Sequence, residues 1–287
     1  MTFSLNTTII KPVENNKINS AIILLHGYGG DGKDISTLTY NWKRFLPNTV
    51  FLCPDGHEVC TINPSGFQWF DLSKDEPKYI IEESLKGEKV IHKFVEEAKK
   101  FYKLNNSRIC LAGFSQGCMM SINIGLTSKE DFNCIIGFSG KIINKENLSK
   151  RISSKTKMLL LHGALDNIVP ASSLLDAKDF LMRNKVEVET HLIDNCDLLI
   201  QDHQHLSVTT ISCYGEKLWN QKRQYHLLIP FPVSTLMETL LTYIFLCPYF
   251  LNSQESCIFH LLSLSNMEMT NENLLQLQYL IIYLYWV

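Results

Sequence analysis

Several features are missing from this sequence, and each absence removes a class of function. The nine cysteines are odd in number and irregularly spaced, with no Cys-x-x-Cys pair and no zinc-finger pattern. A disulfide framework and a structural zinc site are therefore both disfavoured, and free, mostly buried thiols in a reducing, cytoplasmic setting are expected. Gly 14 and Pro 9 are too few for a collagen-like or Pro-rich chain. No excess of positive charge exists: 27 basic residues face 29 acidic ones, a net charge of −2. That gives no electrostatic footprint for nucleic acid. The N-terminus lacks a basic segment followed by a long apolar core, so no targeting signal is read. The longest apolar runs, Leu240–Leu246 and Tyr279–Val287, are shorter than the roughly 18–20 residues a membrane-spanning helix needs. Stable membrane insertion is not expected, although lipid contact by the stretches Leu240–Leu251 and Leu277–Val287 is a third, weaker option.

What is present divides the chain in two. After Asp197 only three of 27 basic and six of 29 acidic residues occur, and helical or strand periodicity fades. The expected division is 1–197 as a core and 198–287 as an atypical apolar extension. Within the core, short apolar runs read as buried strands: Ser20–Leu25, Thr49–Cys53, Arg108–Ala112, Asn133–Phe138, Lys157–His162 and Glu187–Ile193. Between them, Tyr79–Lys103, Gln116–Leu126 and Ser172–Arg183 carry apolar residues near a 3.6-residue period. Strand–helix alternation predicts an α/β fold around a mostly parallel sheet with helices on both faces. Chemistry is then expected at the carboxyl ends of the strands.

Three such ends carry informative residues. Gly113-Phe114-Ser115-Gln116-Gly117 is a Gly-x-Ser-x-Gly turn between a predicted strand and a predicted helix. This is the setting of a nucleophile elbow, which exposes Ser115 Oγ and aims a helix N-terminus at developing negative charge. A serine hydroxyl needs a base, and the base needs an orienting acid. Asp166, at the end of the run Leu159-Leu160-Leu161-His162-Gly163, stands in the chain order expected for that acid. Backbone N–H groups of Gln116 and of Tyr28, in the glycine-rich segment His26-Gly27-Tyr28-Gly29-Gly30, are the candidate oxyanion donors. The same segment, Gly27 to Asp34, falls one residue short of a phosphate-binding loop. Asp34 replaces the hydroxyl that would bind Mg²⁺ and would repel phosphate, so a nucleotide triphosphatase is rejected. His26 and His162 are out of chain order for the base and are read as shaping their loops.

These motifs, together with Pro54-Asp55, Gly66-Phe67-Gln68-Trp69-Phe70-Asp71, Gly137-Phe138-Ser139-Gly140 and Asn167-Ile168-Val169-Pro170, resemble the phospholipase/carboxylesterase family of α/β-hydrolases over about residues 5–197. That family includes acyl-protein thioesterases and bacterial carboxylesterases. The resemblance implies an α/β-hydrolase fold and a cofactor-free, metal-free serine esterase acting on small-molecule or lipid-like acyl esters or thioesters. By position it implies Ser115 as nucleophile, Asp166 as acid, and Tyr28 and Gln116 as oxyanion donors. Oligomeric state is not read.

One departure stands out. The family places its base in a His-Gly turn soon after the last strand, whereas this chain runs Asp194-Asn195-Cys196-Asp197-Leu198. Two accounts compete. In one, a longer loop returns His203, or alternatively His205, as the base. In the other, the reading frame slipped near Asp197 and the product is a degenerate, catalytically impaired hydrolase lacking its base. Translating the gene's other two frames tests the second: a His-Gly turn in either frame supports it, and its absence from both contradicts it.

Overall fold

The strands form because β-rich apolar runs alternate their side chains between two hydrophobic layers. In a computed structural model, which describes residues 3–12, 16–43 and 46–194, nine strands, six α-helices and one 3₁₀ helix, Asn106–Arg108, are present among the described residues. In chain order the strands are β1 Thr7–Ile10, β2 Ser20–Leu25, β3 Thr49–Pro54, β4 Glu58–Val59, β5 Phe67–Gln68, β6 Ile109–Phe114, β7 Cys134–Phe138, β8 Met158–Gly163 and β9 Val188–Ile193. The helices are α1 Gly32–Ser36, α2 Thr39–Trp42, α3 Pro77–Tyr102, α4 Gln116–Thr127, α5 Lys145–Arg151 and α6 Ser172–Arg183.

Seven strands make one sheet in the order β1-β3-β2-β6-β7-β8-β9. Every pairing in it is parallel except that of the edge strand β1 with β3. Period-2 alternation assigns the two layers. Ala21, Ile23 and Leu25 of β2, Ile109 and Leu111 of β6, and Met158 and Leu160 of β8 join one core with residues of α3, α4 and α6. Ile22, Leu24, Cys110, Ala112, Leu159 and Leu161 join the other, with Ile35 of α1, Leu38 just before α2 and Trp42 of α2. This is the mostly parallel α/β architecture predicted from the strand runs, with helices on both faces. The hairpin β4–β5, the edge strand β1 and the short helices α1, α2 and α5 are additions to that expectation.

The order of connection places the site. From β2 the chain moves outward to β3, then returns to the opposite side of β2 to lay down β6. The reversal opens a crevice between the carboxyl ends of β2 and β6. The loop His26–Gly30 and the turn at Ser115 both emerge there.

An ion pair ties the helical layer together behind the sheet. Glu88 of α3 is buried and accepts two hydrogen bonds from the Arg151 guanidinium, at 2.7 and 3.1 Å, and one from Asn123 Nδ2 of α4 at 3.0 Å. Removing the cation would strand a buried carboxylate. Arg151→Ala is expected to cost about 3 kcal/mol in urea unfolding, and Arg151→Lys less, because the charge remains and only the fork is lost. Equal midpoints for wild type and Arg151→Ala would contradict this account.

The position where the family places its base lies beyond the described residues, as do His203, His205 and the apolar stretches Leu240–Leu251 and Leu277–Val287. Among the described residues no helix is long and apolar enough to cross a membrane, and no group of three or more His, Cys, Asp and Glu side chains could hold a metal ion.

Candidate active site

Ser115 sits where β6 ends and α4 begins, half-buried, with φ 50 and ψ −110. Positive φ is uncommon for a residue with a Cβ and stores about 1–3 kcal/mol of strain. Local geometry holds it there. Ser115 N–H donates to Phe138 O at 2.8 Å, and Ser115 O accepts from Met119 N–H at 3.0 Å. Glycine is required on both flanks: a Cβ on Gly113 would strike the backbone of Gly117, and one on Gly117 would strike Leu25 O. The turn is therefore wedged between its own helix and β2.

Gln116 opens α4, so its N–H lies outside the helical hydrogen-bond ladder. Across the crevice, the loop after β2 uses two of its amides internally. Gly29 N–H donates to Phe67 O at 2.9 Å and Gly30 N–H to Gly27 O at 3.1 Å. Among the described residues neither Tyr28 N–H nor Gln116 N–H has an acceptor. Trp69 joins the two sides. Its indole N–H donates to His26 O at 2.9 Å, and its backbone N–H donates to Gln116 Oε1 at 2.8 Å. Gln116 Nε2 in turn donates to Phe70 O at 2.8 Å. The buried Gln116 side chain thus clamps the Trp69-Phe70 segment against the elbow. Its amide flanked by a serine gives no sequence signal for this bracing role.

His26 is a structural ring. Gly56 N–H can only donate, so His26 Nε2 accepts it at 2.8 Å, and Nδ1–H donates to Gly27 O at 2.7 Å. The tautomer is fixed and neutral. Burial pushes the His26 pKa down, opposed by the Gly27 hydrogen bond and by the charges of Asp55, Asp31 and Asp34. His92, also shielded from solvent, is lowered for the same first reason. A folded-state pKa below 6.5 means the unfolded chain takes up protons first as pH falls. Stability is then fully present above about pH 6.5 and is lost as pH drops from there toward the folded pKa. Asp71, held at about 2 by its hydrogen bonds to Ser73 and Tyr79, adds nothing to this window. The urea midpoint is expected to fall between pH 7.5 and 5.5, with a smaller fall in His26→Gln; an identical slope in the two proteins would rule out His26 as a source.

Asp166 follows β8, two strands along from β6, and is 6% exposed. Its Oδ1 accepts from Ile168 N–H at 2.9 Å and Val169 N–H at 2.8 Å, which pins the carboxylate at the mouth of the turn. Its Oδ2 is buried and has no hydrogen-bond partner among the described residues. His162 Nε2 lies 3.5 Å from Oδ2 but donates instead to Val169 O at 2.8 Å. One carboxylate oxygen is therefore committed to holding the loop and the other is open to a donor. Between β6 and β8, the end of β7 turns through Ser139, also at positive φ (49) and fully buried.

A buried thiol, Cys118, lies one turn into α4. Burial pushes its thiol up to about 12, and that of Cys53 likewise to about 12. Neither provides thiolate at neutral pH.

A model of the phospholipase/carboxylesterase family matches residues 6–200. The chain belongs to this family. Among curated relatives, this family member is 29% identical over 172 residues to acyl-protein thioesterase 1 of Emericella nidulans, covering 54% of this chain and 72% of that one. It is 27% identical over 192 residues to acyl-protein thioesterase 1 of Schizosaccharomyces pombe, covering 64% and 84%. Among solved structures, esterase PE8 superposes with a TM-score of 0.70 at 30% identity, covering 75% of this chain and 99% of that one. The Bacillus cereus carboxylesterase shares the fold, with a TM-score of 0.61 at 16% identity over 75% of this chain and 95% of that one.

Proposed function

We propose that this family member is a serine hydrolase that cleaves carboxylic ester or thioester bonds through an acyl-enzyme. The observation that carries the reading is the strained, glycine-wedged Ser115 at the N-terminus of α4, with an uncommitted amide beside it on Gln116 and another on Tyr28 in the loop after the neighbouring strand β2. The thioesterase and esterase relatives support the same chemistry.

In this reading Ser115 Oγ attacks the acyl carbon as a histidine takes the hydroxyl proton. The carbonyl electron pair moves onto oxygen, and Tyr28 N–H and Gln116 N–H hold that oxyanion. Collapse expels the alcohol or thiol, which receives the proton. Water then attacks the acyl-Ser115 ester in the same way and releases the acid. Asp166 Oδ2 accepts the imidazole N–H of the base and stabilises its cation. We assign the base to His203, with His205 as the alternative; both lie beyond the described residues. No cofactor or metal enters these steps. A cytoplasmic setting is supported by the free, buried state of the five described thiols, Cys53, Cys60, Cys110, Cys118 and Cys134.

A second reading is a degenerate hydrolase without a base. The missing His-Gly turn favours it. Turnover of a short-chain p-nitrophenyl ester separates the two. Hydrolysis by the full chain that disappears in the His203→Ala, His205→Ala double variant supports the enzyme and its base. Hydrolysis that survives the double variant moves the base elsewhere, and no hydrolysis above a Ser115→Ala background supports the degenerate protein.

A further inference from the structure

Two thiols that the proposed chemistry does not use meet inside the sheet. Cys110 of β6 and Cys134 of β7 are register partners in adjacent parallel strands. Both are buried, at 2% and 3% exposure, and both belong to the layer that holds Ile22, Leu24 and Trp42. Cys134 Sγ–H donates to Cys110 Sγ at 3.3 Å, and Cys110 Sγ–H donates to Leu111 O at 3.6 Å. Cys118, the thiol between them in the chain, belongs to the opposite layer, so the sheet separates it from the pair. Among the described residues no group of three or more His, Cys, Asp and Glu could hold a metal ion, so the pair lacks the further ligands of a zinc site.

We propose that Cys110 and Cys134 form a reversible oxidation site, which hydrogen peroxide closes to a cross-strand disulfide. The inference does not depend on the hydrolase reading above. Separation and register carry it. Neighbouring strands lie about 4.7–4.9 Å apart, inside the roughly 4.4–6.8 Å between Cα atoms that a disulfide spans. The sulfurs close from 3.3 Å to about 2.05 Å by side-chain rotation, with the strand register kept. The apolar layer selects the oxidant: a small uncharged peroxide enters at far lower cost than an ionic reagent. One sulfur takes an oxygen from peroxide, giving a sulfenic acid and water. The second sulfur then attacks the sulfenic sulfur, forms the S–S bond and releases a second water. Two electrons pass to peroxide, and both thiol protons leave in the waters. The hydrogen bond with Cys134 and burial hold the Cys110 thiol well above its ordinary pKa, so it is protonated at rest and reacts slowly. The same two strands carry the elbow, since Ser115 N–H donates to Phe138 O at 2.8 Å. The bridge ties them together upstream of that bond.

The test uses folded, full-length protein and needs no turnover. Reduced protein is treated with hydrogen peroxide, unfolded in urea with iodoacetamide to cap remaining thiols, and digested with trypsin for mass spectrometry. The peptides Ile109–Lys129 and Glu130–Lys141 are expected to appear joined, two hydrogens lighter than their sum, with fragment ions placing the bond at Cys110 and Cys134. Capped Cys134 is expected to disappear in step with growth of the joined pair, and dithiothreitol is expected to restore it. In Cys110→Ala, the Cys134 thiol is expected to survive the same dose and be capped. Should that variant fail to fold, Cys134→Ala makes the same demand of Cys110. Recovery of both thiols capped, from protein whose exposed Met182 has become sulfoxide, overturns the proposal. So does oxidation that joins Cys134 to Cys118 or that stops at sulfinic acid. An equal yield of the Cys110–Cys134 bridge from protein unfolded before peroxide is added also overturns it, because nearness along the chain would then suffice.

Discussion

Gly117→Ala is expected to collapse the elbow, lowering stability by about 3–5 kcal/mol or preventing folding. The magnitude follows from what the new methyl would meet. At Gly117 it would enter the carbonyl of Leu25, with His26 O 2.6 Å away. Both belong to the β2 end, which is locked in parallel register with β6 from Ala21↔Ile109 to Leu25↔Gly113. Backbone held in a central sheet cannot yield by the ångström required. Gly125, in the same helix, provides the control. A methyl there would meet Ile135 Cδ1 at 2.7 Å, the free end of a side chain that can rotate away. Gly125→Ala also gains helix propensity, so its cost is expected to be about 1 kcal/mol or less. Urea unfolding of the two variants checks the contrast, and equal midpoints would show that backbone does not wedge the elbow.

Ser115→Ala is expected to lower ester turnover by about 10³–10⁶-fold, because in the proposed mechanism it removes the atom that forms the acyl-enzyme. Its stability tells a second story. The strain at φ 50 belongs to any residue with a Cβ, so Ser115→Ala keeps it and Ser115→Gly releases it. The glycine variant is expected to be the more stable of the two by about 1 kcal/mol, although both are inactive. A glycine variant more stable than the alanine variant would show that the surrounding structure holds residue 115 in its strained pose. Turnover within ten-fold of wild type in Ser115→Ala would place the nucleophile elsewhere.

Much of the sheet is legible in the amino-acid sequence, for a physical reason. Interior parallel strands are buried on both faces and therefore read as unbroken apolar runs: Ser20–Leu25 coincides with β2, and Lys157–His162 falls within a residue of β8. The period of α3 is equally plain, and Ser172–Arg183 coincides with α6. Edge and short elements leave no such mark. Thr7–Ile10 is half-exposed and borders β3 alone, so its four residues carry little apolar contrast. Two-residue strands such as β4 and β5 have no period to detect. Lys145–Arg151 holds one buried residue, Leu148, too few for a stripe.

At the candidate site, residue order marks positions and three-dimensional geometry adds constraints. The order around Ser115 and Asp166 marks both as candidates. It does not show that Asp166 commits Oδ1 to two loop amides and leaves Oδ2 open, since that depends on how residues 166–169 turn. Nor does it show Gln116 bracing Trp69 and Phe70, 47 and 46 positions away. Long-range hydrogen bonds of this kind have no local pattern. The resemblance to the family rests on the same motifs that the family match spans, residues 6–200.

The most direct measurement is covalent labelling of the full-length protein with a fluorophosphonate probe, followed by peptide mass spectrometry. An activated serine hydroxyl beside an amide-lined hollow predicts a single adduct on the peptide containing Ser115, absent from Ser115→Ala and from heat-unfolded protein. An unlabelled native protein, or an adduct on any other residue, would contradict it.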